Sequence, residues 1–215
     1  LIIGNIFQQF YSMADTLIVG RTIGVNALAA VGCTGSITFL ILGFVQGLTS
    51  GLSIITSQKF GANNEDAVRK SFAASILISS AVAIITTVFS VLLTRPLLEL
   101  LQTPTEIIDD ATAYLVIIFL GIPATILFNL LSNAVRALGD SKTPLYFLIF
   151  ACCVNIVLDL VFILYFHLGV AGAGIATILS QLLSGILCIF FIIKKVPILR
   201  LKKADFQIHY EVIAS

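Results

Sequence analysis

Six stretches of this chain, at 1–19, 28–57, 71–93, 111–135, 145–166 and 170–193, are almost free of charge and about as long as a bilayer is thick. A spanning helix needs about 20 predominantly apolar residues, so the pattern predicts six membrane spans and an all-α polytopic membrane protein. The second run is overlong and is expected to include turns outside the membrane. The fourth contains Pro123, which removes a backbone donor and is expected to kink the helix. With 59% hydrophobic and 11% charged residues, against about a quarter charged in soluble domains, the composition agrees.

The chain begins inside an apolar run, with no basic leader and no small-residue cleavage site, so nothing resembles a signal peptide. It reads as an internal fragment: a six-helix domain over 1–195 and a polar cytoplasmic linker over 196–215. Cys33, Cys152, Cys153 and Cys188 lie in apolar runs without metal-ligand spacing and read as small buried hydrophobes. A net charge of +1, with basic residues scattered at segment ends, gives no reason to expect a nucleic-acid partner.

That scatter carries topology. Alternating the connections puts Lys59, Arg69, Lys70, Arg136, Lys142, Lys194, Lys195, Arg200, Lys202 and Lys203 on one side and only Arg21 and Arg95 on the other. By the positive-inside rule the loops after the second, fourth and sixth helices are cytoplasmic. The connection from Arg95 to Asp110 is then external and acidic.

At 100° per residue, several spans own a polar stripe that must look inward: Asn5, Gln8, Ser12 and Asp15 on the first, and Gln46, Ser50, Ser53 and Ser57 on the second. The fourth has Asn129, Ser132, Asn133 and Arg136, and the sixth Thr177, Ser180, Gln181 and Ser184. Most of the hydroxyls read as interhelical packing. Gly43, Gly47 and Gly51 form a doubled GxxxG pattern, which predicts close helix approach on the second span.

Two carboxylates are harder to explain as packing. A carboxylate at mid-membrane costs roughly 2.5 to 3.5 kcal/mol on insertion scales, yet Asp159 sits in the apolar run LYFLIFACCVNIVLDLVFILYF, one turn after Asn155. Counted from the outer helix ends, Asp15 and Asp159 share a depth of roughly 8 to 11 Å. Tyr114 and Thr177 fall in the same outer layer. Such oxygen-rich chemistry suits a hard cation such as Na⁺, or a proton shared between carboxylates.

The strings DTLIVG from Asp15, LAAVG from Leu28, SQKFGANNED from Ser57, NLLSNAVRALGDSKTP from Asn129, and NIVLD followed by GVAGAGIAT resemble the multidrug and toxic compound extrusion (MATE) transporters in order and spacing. The resemblance covers essentially the whole chain and corresponds to helices one to six of a twelve-helix protein, its N-terminal lobe. It implies a secondary active antiporter that expels organic, often cationic compounds in exchange for Na⁺ or H⁺ by alternating access. No cofactor is implied beyond that coupling ion. It assigns ion or proton coupling to Asp15, Asn155 and Asp159, with Thr177 and Tyr114 beside them. Asp15, Asn155, Asp159 and Thr177 are the Na⁺ ligands if sodium couples. Gln8 and Asn129 resemble cavity-lining positions. The implied setting is a bacterial-type plasma membrane, and the implied partners are the lipid bilayer, organic cations and a second lobe of the same protein.

Flippases for lipid-linked oligosaccharides share the six-plus-six architecture and are the alternative. They commonly carry more basic charge in the cavity to hold phosphates, whereas Arg136 here sits at a helix end. An intramembrane aspartyl protease needs a Tyr-Asp pair, which is absent, and a Gly-x-Gly-Asp motif, to which Ala137-Leu138-Gly139-Asp140 comes closest; an enzyme is not expected. A purely structural scaffold would leave the buried acids without a task to offset their cost.

Overall fold

The computed structural model describes residue 13 and residues 16–201. Residues 16–22 are helical and form the described part of α1. α2 (Val25–Gly61), α3 (Glu65–Leu100), α4 (Ile108–Leu120), α5 (Ile122–Ala137), α6 (Lys142–Leu160) and α7 (Gly169–Lys195) follow. Among the described residues four helices are long and apolar enough to cross a membrane, and α4 with α5 makes a fifth, bent span. Most of the expected first span lies outside the described residues. α2 and α3, at 37 and 36 residues, are each about 55 Å long at about 1.5 Å per residue. Each therefore outruns a hydrocarbon core of about 30 Å, as the overlong second run suggested for α2.

Local chemistry ends and starts these helices where the sequence changes character. The side chain of Asn64 caps α3 by accepting from the Ala67 amide at 3.0 Å, and Glu65 and Asp66 occupy the first turn, where the helix dipole favours anions. The fourth span bends by 43° between α4 and α5. Pro123 lies just inside α5, so its ring opposes a continuous α4–α5 helix. The break itself falls at Gly121, where an added Cβ would lie 2.3 Å from Ile178 Cγ1 of α7. After α6 the helix widens into a π turn, Val161–Tyr165, which sequence periodicity did not reveal.

Buried side chains gather into two apolar cores. One joins Val19, Ala30, Val45, Leu98, Leu115, Phe119 and Val170. The other, beside the turns that carry most of the basic residues, joins Val68, Phe72, Leu131, Val135, Ile192 and Leu199. Between them, along α2, α3 and α7, inward positions are hydroxyls: Thr49, Ser75, Ser79, Ser180 and Ser184 are all buried. Large apolar side chains such as Phe39, Phe89 and Tyr165 point outward, as a membrane bundle requires.

Two expectations for α2 find no partner among the described residues. No atom among the described residues lies within 4 Å of a Cβ added at Gly43, Gly47 or Gly51, and all three glycines are exposed. Gln46, Ser50 and Ser57 share that exposed side, while the buried face carries Ala27, Ala30, Thr34, Val45, Thr49 and Thr56. On the buried face, Thr49 donates to the Val45 carbonyl of its own preceding turn at 3.1 Å.

Candidate functional site

The apolar middle of α6 carries Asn155 and Asp159 one turn apart, on one face, and both are fully buried. α6 packs on α7, and the Asn155 amide donates to Thr177 Oγ1 at 3.4 Å. Thr177 in turn donates to the Ala173 carbonyl at 3.0 Å, one turn back along α7. Tyr114 is buried on α4. It meets α7 because Gly174 has no side chain: a Cβ there would lie 2.9 Å from Ile117 Cγ2 and 3.7 Å from Tyr114 Cδ2. The contacts thus set Asn155 against Thr177 and Tyr114 against Gly174, with Asp159 one turn further along α6, and the π turn begins two residues after Asp159. π turns recur at functional sites.

Asp15 and Gln8 lie outside the described residues. Asn129 is half-buried on α5, one turn before Asn133, whose amide donates to Ser50 of α2 at 3.4 Å. Asn133 therefore belongs to the α2–α5 seam. A third polar contact, which the stripes did not pair, joins α5 to α7: Thr125 Oγ1 donates to Gln181 Oε1 at 2.5 Å. Its signal was present, since Thr125 sits one turn before Asn129 and extends the same stripe.

The donor set around Asn155 is mainly oxygen. Asn155 Oδ1 is buried and has no hydrogen-bond partner among the described residues, an unusual condition for a buried carbonyl. With the Asp159 carboxylate and the Thr177 hydroxyl it fits a hard monovalent cation, or a proton carried by the carboxylate, better than a transition metal. Among the described residues no three His, Cys, Asp or Glu side chains gather as metal ligands.

Comparison with known proteins agrees with this architecture. The chain is 36% identical over 194 residues to "Probable multidrug resistance protein YpnP" of Bacillus subtilis (strain 168), a match covering 90% of this chain and 44% of that protein. An outward-facing multidrug resistance MATE family transporter of the MOP superfamily superposes with a TM-score of 0.91 at 24% identity, covering 99% of this chain and 47% of the other. An inward-facing MATE structure superposes with a TM-score of 0.89 at 24% identity, covering 96% and 47%. The chain therefore spans a little under half the length of the proteins it matches, with the fold of a single lobe. Its apolar helices make it an integral, multi-pass membrane protein. The sequence pattern of the MatE family matches residues 1–161 of the 215, and the chain belongs to that family.

Proposed function

We propose that this chain is the N-terminal lobe of a twelve-helix secondary antiporter, a transporter and not an enzyme, that exports organic, often cationic compounds in exchange for Na⁺ or H⁺. Residues 1–195 form the lobe, and 196–215 lead toward the second lobe. The observation that carries the reading is a fully buried carboxylate, Asp159, one turn from a buried amide tied to Thr177. An intramembrane acid is costly and characteristically marks an ion pathway. The drug-resistance name of the Bacillus relative supports the class of cargo.

In this reading Asp159, Asn155 and Thr177, with Asp15 from α1, hold the coupling cation, and Tyr114 closes the site from α4. Neutralising the carboxylates removes the outer-layer charge and lets α1 repack, which drives the substrate outward. Gln8 and Asn129 line the substrate path. The exposed face of α2, with its glycines and Gln46, supports a path on that side, because small and polar groups are ill suited to lipid. The basic turns lie in the cytoplasm and the coupling site in the outer half of the bilayer.

Reconstitution of the full-length protein that carries this chain into liposomes tests the proposal, with dye efflux followed under imposed Na⁺ and pH gradients. One of the two gradients is expected to drive efflux, and Asp159→Asn is expected to reduce it to the rate of empty liposomes. Gradient-driven efflux retained by Asp159→Asn would sink the reading.

A further inference from the structure

Away from the Asn155–Asp159 site, a groove of about 890 Å³ runs between α3, α5 and α7. Its walls are apolar, with Ile76 and Ile84 of α3, Leu127 and Leu131 of α5, and Ile189 and Ile193 of α7 among them. Ile84 and Ile193 are more than half exposed, so the groove opens outward from the bundle, toward the hydrocarbon that surrounds such a protein. Along α3 it extends from Phe72 to Ile84, about 18 Å at about 1.5 Å per residue. One leaflet of a bilayer core of about 30 Å is about 15 Å deep. The groove is as long as one leaflet.

Its ends differ. Pro123 and Ala124 lie toward mid-membrane, whereas Arg200 and Leu201 close the end beside the basic turns. Arg200 is held there. The short helical turn Pro197–Leu199 doubles the chain back, Leu199 is buried in the apolar core beside Ile192, and Arg200 Nε donates to the Ile193 carbonyl at 2.7 Å. Arg200 lines this end of the groove, with exposed Lys194 and Lys195 close by in sequence.

We infer that this groove is a binding site for an anionic phospholipid of the leaflet on the basic side, its acyl chains between α3, α5 and α7 and its phosphate on Arg200. Apolar walls one leaflet deep select acyl chains, and a guanidinium held by a backbone bond offers a partner to the phosphate; because every phospholipid has that phosphate, preference among them comes from net charge, which choline cancels. Lys194 and Lys195 add attraction for net negative charge.

Native mass spectrometry of the full-length protein, titrated with dioleoylphosphatidylglycerol or dioleoylphosphatidylcholine at equal concentrations, tests this without reference to transport. Phosphatidylglycerol is expected to add first and more tightly. Arg200→Gln, a change at an exposed position, is expected to weaken phosphatidylglycerol about fivefold, from about 1 kcal/mol per basic residue, and to weaken phosphatidylcholine less, because its choline offsets the phosphate charge. Ala83→Phe, which fills the groove wall, is expected to remove both adducts. Equal binding of the two lipids, or unaltered phosphatidylglycerol binding in Arg200→Gln, overturns the assignment. So does a folded protein that takes up no lipid because the following residues of the chain, or a second copy, fill the groove.

Discussion

At the scale of single residues, the Asn155–Thr177 contact is long for a hydrogen bond, at 3.4 Å, but the amide making it is fully buried. Removing its acceptor leaves a donor without water, a loss of about 1 to 3 kcal/mol. Thr177→Val is therefore expected to lower the unfolding temperature of the detergent-solubilised full-length protein and to weaken ion-driven efflux, whereas Thr177→Ser keeps the acceptor and stays near the parent in both. Equal behaviour of the two variants would show that the hydroxyl contributes nothing. Asp159 was legible from sequence because one carboxylate in an otherwise apolar run has no cheap structural explanation. The pairing of Asn155 with Thr177, and of Thr125 with Gln181, was not legible as pairing. A stripe fixes the face on which a side chain sits, but only the relative rotation and height of two helices decide which residues meet.

The elements repeat that lesson with glycine. On α2 the GxxxG spacing marks a helix that permits approach, and no described helix takes it up; on α7 the run GVAGAG marks one that α4 does approach. The two outcomes predict opposite responses to the same substitution. Gly174→Ala forces Cβ against Ile117 at 2.9 Å and is expected to destabilise by about 1 to 3 kcal/mol through overpacking. Gly47→Ala meets nothing within 4 Å among the described residues and gains helix propensity of up to about 1 kcal/mol, so its unfolding temperature is expected to be unchanged or raised. The start of α6 depends on a different device. Asp140 Oδ1 accepts from the Lys142 and Thr143 amides at 3.0 Å each, and Oδ2 accepts from Thr143 Oγ1 at 2.5 Å. Partial burial pushes the Asp140 carboxyl up, but the Thr143 side chain, the two amides and the Lys142 charge together hold it below its ordinary value. A depressed carboxyl stabilises the fold at pH values above the unfolded pKa of about 3.9, and that contribution is lost as pH falls through the lower folded value. Asp140→Ala is expected to cost about 1 kcal/mol near neutral pH. In unfolding scans the gap to the parent should close in strong acid.

At the scale of the whole molecule, one lobe resembles both an outward-facing and an inward-facing MATE structure almost equally, with TM-scores of 0.91 and 0.89. Both comparisons show the same fold for this chain, held by two apolar cores, one at each end, with a layer of buried hydroxyls between them. The five spans among the described residues were readable because hydrophobic length alone sets them. The bend at Gly121 was readable only approximately, from Pro123, because its position depends on Ile178 of another helix. The proposed orientation rests on a separate physical rule, the retention of basic residues in the cytoplasm, and has its own consequence. Ser141 and Thr105 lie in turns at opposite ends of the bundle, both exposed. With Cys33 and Cys153, the exposed native thiols, replaced by serine, a membrane-impermeant maleimide added to intact cells is expected to label Thr105→Cys and spare Ser141→Cys until the membrane is opened. The reverse pattern would place the basic turns outside. It would also move Asp159 to the inner half of the bilayer, where neutralising it faces the cytoplasmic ion pool instead of the external one, and an inward ion gradient would no longer load the site from the side on which substrate is released.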